Sequence, residues 1–202
     1  MQLTSLTLNL KPALELTDEQ FEQICRANRD LRFERTSQGE LIVMSPTGGE
    51  TGNWNSGLTG QLWFWNQQKK LGKSFDSSTG FKLPNGATRP LRYLRSSASD
   101  ATWVQQDRWD SLTPEQKKKF IPLCPDFVIE LRSPTDDLED ARAKIREYLE
   151  NGASLGWLIN PQDQQVEIYR PGQPIEILDR PNPLSEETVL PEFILDLREI
   201  WN

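Results

Sequence analysis

Asp126, Glu130 and Arg132 interrupt the segment Pro125-Asp126-Phe127-Val128-Ile129-Glu130-Leu131-Arg132, whose apolar residues read as a buried strand. An unpaired carboxylate in such a strand is costly, so acids are ordinarily kept out of it. With period 2, Asp126, Val128, Glu130 and Arg132 share one face, and Phe127, Ile129 and Leu131 the other. Carboxylates and a cation on one strand face, beside an acid from a neighbouring strand, are a means of holding a divalent metal for phosphodiester cleavage.

The rest of the composition narrows the chemistry. The chain has 202 residues and no histidine, which removes Ser-His-Asp and Cys-His catalysis and His-ligated zinc. Its two cysteines, Cys25 and Cys124, form neither a CxxC pair nor a disulfide framework, and read as free thiols of a reducing cytoplasm. Hydrolysis would therefore run on carboxylates, Lys, Arg, Tyr and metal-bound water, with hard oxygen ligands that suit Mg²⁺ or Mn²⁺. A net charge of -7 argues against a protein whose main task is to coat nucleic acid, but not against an enzyme with a local basic groove. No apolar run is long enough to span a membrane, and the N-terminus lacks a secretory pattern.

The elements that would position these residues are legible. Thr17-Asp18-Glu19-Gln20 is a capping box that opens a helix to about Asn28. A hairpin is expected over 31–44, turning at Gln38-Gly39. A long helix follows from Glu50 to Leu71, closed by Gly72, with Trp54, Leu58, Leu62 and Trp65 as its buried stripe and Glu50 on that same stripe. Between Ser77 and Ser99 there is no acid, but Lys82, Arg89, Arg92 and Arg95 make a basic island. Asp100 begins the next strand, Pro114 a helical turn, and the acid-bearing strand comes after it. Thr135 is placed to cap a helix from Asp136 to Asn151. Lys144 sits on the shoulder of that helix's stripe, with Tyr148 one turn on. A second hairpin over 155–169 and a short strand near Ile175 to Leu178 complete an α/β pattern with a mixed sheet. No linker or repeat divides residues 1–202, so one domain is expected.

Glu50, Asp100, Glu130 and Lys144 come in an order that resembles the PD-(D/E)XK nuclease superfamily. The chain is most similar to the Uma-two family of restriction-endonuclease-like proteins. The segments that carry the resemblance are Leu41 to Glu50, Gly80 to Gly86, Ser99 to Val104, Cys124 to Pro134 and Asn151 to Pro161. It implies a restriction-endonuclease-like fold, a central mixed β-sheet flanked by helices. It also implies a Mg²⁺- or Mn²⁺-dependent endonuclease acting on DNA. Asp100 and Glu130 would ligate the metal with a backbone carbonyl beside Glu130, and Glu50 would hold a water or a second metal. The superfamily's lysine position is Arg132, which stays protonated and cannot act as a base. The resemblance places the working cation at Lys144 instead, oriented by Tyr148. A further departure is Ser99, where the pattern has Pro.

Each assignment has a plainer counterpart: Glu130 would form an internal salt bridge, and Asp100 would be a turn residue at the strand start. Asp126 would cap the strand or pair with Arg132, and Arg132 would contact phosphate or form an ion pair. Lys144 would be a solvated lysine paired with Asp140, and Glu50 a helix-start acid favoured by the macrodipole. The Lys82, Arg89, Arg92 and Arg95 island would touch nucleic acid or merely add solubility. Lys117-Lys118-Lys119 reads as a solvated helix face. The rival to the nuclease is a catalytically silent nuclease-fold protein acting as a protein-interaction module. A two-carboxylate sugar or nucleotide hydrolase fits the acids but leaves Lys144 unexplained. A homodimer is expected if both strands of a duplex are to be cut.

Overall fold

The computed structural model describes residues 5–28, 31–35, 39–44, 48–84, 88–89, 100–134, 136–185 and 188–202. Thr17 caps the first helix, α1 (Asp18–Ala27), as its sequence requires. The hydroxyl accepts from the Gln20 N–H, and the Gln20 side chain accepts from the Thr17 N–H. The expected hairpin forms from β2 (Arg32–Arg35) and β3 (Leu41–Met44). A strand without a sequence signal, β1 (Ser5–Leu8), pairs with β3. With β5 (Phe81–Lys82) and β6 (Thr88–Arg89) they make a five-stranded sheet, ordered β1-β3-β2-β6-β5.

The second sheet positions the acids. It contains β4 (Gly72–Asp76), β7 (Ala101–Gln105), β8 (Phe127–Leu131), β9 (Leu155–Asn160), β10 (Gln165–Tyr169) and β11 (Glu176–Asp179), ordered β11-β10-β9-β8-β7-β4. Only β8 and β9 run parallel, joined by the crossover helix α4 (Leu138–Glu150). The long helix α2 (Gly49–Lys69) covers the opposite face. The alternation in β8 divides as expected. Phe127, Ile129 and Leu131 pack with Leu58, Leu62 and Trp65 of α2, whereas Val128 packs with Tyr148 of α4.

Three local expectations are corrected. The cap of α4 is Asp137, whose carboxylate accepts from Glu139 N and Asp140 N, so the helix starts two residues beyond Asp136. The left-handed residue that ends α2 is Lys70, at φ 57°, and not Gly72. Gly72 opens β4, where a Cβ would collide with the Val104 carbonyl oxygen and stand 2.6 Å from the Trp103 ring. Gly72→Ala is therefore expected to lower stability by about 2–3 kcal/mol, because a backbone carbonyl cannot yield as a side chain can. An unchanged urea midpoint would refute this. The C-terminal tail is also more structured than its sequence signals. β12 (Leu184–Ser185) and β13 (Ile194–Leu195) pair, and Phe193, Leu197 and Trp201 close the core over α2. The helical turns after β7 are α3 (Gln106–Asp110) and a 3₁₀ turn at Gln116–Lys118. Among the described residues no helix is long and apolar enough to cross a membrane.

Candidate active site

The strand register sets the acids in a line. Ala101 pairs with Ile129, and Asp100, just before β7, bonds to Leu131 N and lies beside Glu130; Glu130 is opposite Leu158, and Leu158 opposite Glu167. Residues opposite one another share a sheet face, so one cross-strand row carries Glu130, Leu158 and Glu167 beneath α4, beside Asp100. The helix lies close because β9 offers it bare backbone at Gly156, where a Cβ would come 2.6 Å from Ile145 Cγ2. Two long cations then reach down from α4. Lys144 Nζ donates to Glu130 Oε2 at 2.6 Å, and Arg142 donates through Nε and Nη2 to Glu167 at 2.9 and 2.5 Å. Tyr169 also donates its hydroxyl to Glu167.

Asp100, Glu130 and Lys144 are 1%, 5% and 4% exposed. The reading of Lys144 as a solvated lysine paired with Asp140 is thus overturned. Asp100 Oδ2 accepts from the Leu131 N–H at 2.6 Å, whereas its Oδ1 is buried with no hydrogen-bond partner among the described residues. Burial pushes the Asp100 carboxyl well above the usual carboxylate range, and the neighbouring Glu130 pushes it further, against the pull of Lys144 and the Leu131 N–H.

The structure adds an acid that sequence reasoning missed. Asp136 is buried, also pushes the Asp100 value up, and accepts from Ser133 N through Oδ2, while Oδ1 has no hydrogen-bond partner among the described residues. Its signal was the doublet Asp136-Asp137, in which the second residue caps α4 and leaves the first to turn inward. Glu167, too, obeys the rule that singled out Glu130, an acid within an apolar strand. Among the described residues, no three His, Cys, Asp or Glu side chains close into a metal-binding group. Asp100 and Glu130 are hard-oxygen groups of the kind that suit a Mg²⁺-like ion, which keeps several waters and uses one or two carboxylates. The unpartnered Asp100 oxygen is what such an ion would satisfy.

The remaining candidates are placed as follows. Arg132 lies past the end of β8 and is occupied: Nε donates to the Asp136 carbonyl and Nη1 to Asn160 Oδ1, both at 3.2 Å, with Asp163 Oδ2 at 3.6 Å. In the free protein it makes the ion pair of its two readings. Asp126 does not pair with Arg132. It accepts from Gln105 N at 2.8 Å and from Arg108 at 2.6 Å, so it ties β8 to the start of α3. Tyr148 is fully buried in an apolar cluster with Phe81, Val104 and Val128, and its backbone carbonyl accepts from the Cys124 thiol. Glu50 is exposed in the first turn of α2 rather than on the buried stripe. Lys82 forms an ion pair with Asp18, which also binds Arg35. Burial raises the Asp18 carboxyl, but hydrogen bonds from Lys82 and Arg35 outweigh it and hold the group below its ordinary value. Arg89 is in β6, while Arg92 and Arg95 lie outside the described residues.

Comparison with known proteins bears on this geometry. Residues 18–198 match the model of the Uma2 family, described as "Putative restriction endonuclease". No curated protein matches the chain. A solved structure from Anabaena variabilis ATCC 29413, titled a "putative nuclease belonging to DUF820", superposes with a TM-score of 0.65 at 20% identity, over 84% of this chain and 89% of that one. At that identity the likeness establishes the shared fold.

Proposed function

The chain belongs to the Uma2 family, and from that premise we propose that it is a divalent-metal-dependent nuclease that hydrolyses phosphodiester bonds in DNA. One observation carries the reading. Asp100 buries a carboxylate oxygen with no hydrogen-bond partner directly beside Glu130 and Lys144. A purely structural set of buried polar groups would be expected to satisfy its own acceptors.

In this reading Asp100 and Glu130, with a backbone carbonyl beside Glu130, would hold a Mg²⁺ or Mn²⁺ ion. Such an ion, when bound, polarises a phosphoryl oxygen and lowers the pKa of a ligated water. Lys144 is the cation of the site. In the free protein it balances the Glu130 carboxylate, and with substrate present its ammonium orients the attacking water and offsets charge gathering on the phosphate. Arg132 is held by Asn160 and Asp163 at the turn after β8, so in this reading that part falls to Lys144. Tyr148 anchors the helical turn next to Lys144. Exclusion of water by the α4 face strengthens each of these interactions.

The test is an endonuclease assay on supercoiled and branched DNA, with Mg²⁺ or Mn²⁺, using Glu130→Gln as control. Metal-dependent nicking is expected from the wild type, with a loss of at least about 10²-fold in the variant. The rival reading, a silent protein-interaction module, draws on the engagement of Arg132, which leaves the superfamily's lysine position without a working cation. Metal-independent or absent cleavage by the wild type would favour it.

A further inference from the structure

A cleft of about 660 Å³ lies outside the acidic row, between α1, the end of β4 and the 3₁₀ turn. Its volume is within the range, about 300–1,000 Å³, of clefts that hold small organic ligands. Arg26, Lys117, Lys118 and Lys119 line it against the single carboxylate of Glu22, in a protein whose net charge is -7. Phe75 and Trp109 form its aromatic wall, with ring centroids 5.5 Å apart, and both rings are half-buried. Lys117 Nζ stands 5.0 Å from the Trp109 ring centroid, so an anion held by this lysine lies next to the indole.

We propose that this cleft binds a single-stranded segment of nucleic acid, with the lysines on its phosphates and Trp109 stacking against a base. Cations that follow a backbone, beside aromatic faces that accept any base, are the two components such sites require. The cleft adjoins a second one. Phe75 and Thr79 line both it and a second cleft of about 730 Å³ between α2 and β4. Asp76, between them, pairs with Ala101, the residue after Asp100. In that second cleft Thr59 donates to the Asp100 carbonyl at 3.0 Å. The proposal depends on the nuclease reading only for the choice of polymer.

The test is binding of a fluorescein-labelled oligothymidylate by anisotropy in EDTA, which separates binding from cleavage. Lys117→Glu/Lys118→Glu/Lys119→Glu is expected to weaken binding at least about tenfold and to flatten the log–log salt dependence by about 2, for three lost phosphate contacts. Trp109→Ala is expected to cost about tenfold. Trp109→Phe, which keeps a ring and the fold, retains most of the affinity. Unchanged affinity in the triple variant would overturn the proposal. So would a Trp109→Ala protein, folded by circular dichroism, that binds the oligomer as the wild type does. Failure of the nuclease reading would appear only in the cleavage assay, and failure of this site only in the anisotropy.

Discussion

Asp100→Asn is expected to make the metal-free protein more stable at neutral pH while abolishing its response to Mn²⁺. The Asp100 carboxyl is buried beside Glu130, and both features disfavour its charged form. The folded protein therefore holds this proton more tightly than the unfolded chain does. The stability associated with the group is intact below the unfolded value of about 3.9 and is lost as pH rises through the folded value. Asparagine keeps an acceptor for the Leu131 N–H and presents an amide donor, where the acid set a second acceptor next to Glu130. A gain of about 1–3 kcal/mol, the usual penalty of an uncompensated buried polar group, would raise the thermal midpoint by roughly 2–4 °C per kcal/mol in a chain of this size. Melting curves in EDTA across pH 4–9 should show the gap between variant and wild type widening with pH. Mn²⁺ should then raise the wild-type midpoint and leave the variant's in place. A variant less stable than the wild type at the alkaline end would contradict the placement of Asp100 as a strained acid.

Lys144→Met should have the opposite effect. Removing the ammonium leaves the 5%-exposed Glu130 carboxylate without its 2.6 Å ion-pair partner, while methionine preserves most of the packing of the stem. Breaking a buried pair from one side costs about 3–5 kcal/mol, whereas an exposed pair is worth no more than about 1. Urea unfolding distinguishes these values. Two further results follow if the pair is part of a metal site. Glu130→Gln placed in the Lys144→Met background should recover much of the loss, since no buried charge then remains at that position. Mn²⁺ should also stabilise Lys144→Met more than it does the wild type, because the ion replaces the missing positive charge. A loss below about 1 kcal/mol, or equal metal stabilisation of both proteins, would reduce Lys144 to an incidental neighbour.

The parts legible in the sequence were those in which one local rule acts alone. The Thr17 capping box, the alternation in β8 and the Leu58, Leu62 and Trp65 part of the α2 stripe need no distant partner to be recognised, and each formed as expected. Glu130 stood out because an acid in an apolar strand demands an explanation. What stayed hidden depended on register or on competition between adjacent residues. The closeness of Asp100 and Glu130 arises from strand pairing, and the partner of Asp126 proved to be Arg108, which is remote in sequence but one strand away. Thr135 lies outside the described residues, and the cap of the helix that forms is Asp137, which an adjacent Asp136 obscured in the sequence. Strands of two residues such as β12 and β13 are too short for any periodicity to register, although Leu184, Leu195 and Leu197 beside them are fully buried.

One hydrogen bond at the site has a spectroscopic use. The Leu131 N–H, at the end of a central strand, is directed to a carboxylate side chain rather than to a neighbouring strand's carbonyl. Its amide resonance should therefore move when Asp100 exchanges a proton for a cation, while the amides of Val128 and Ile129 in the same strand remain almost still. A single backbone cross-peak would then serve as a built-in indicator of occupancy, readable in the unmodified protein and without substrate.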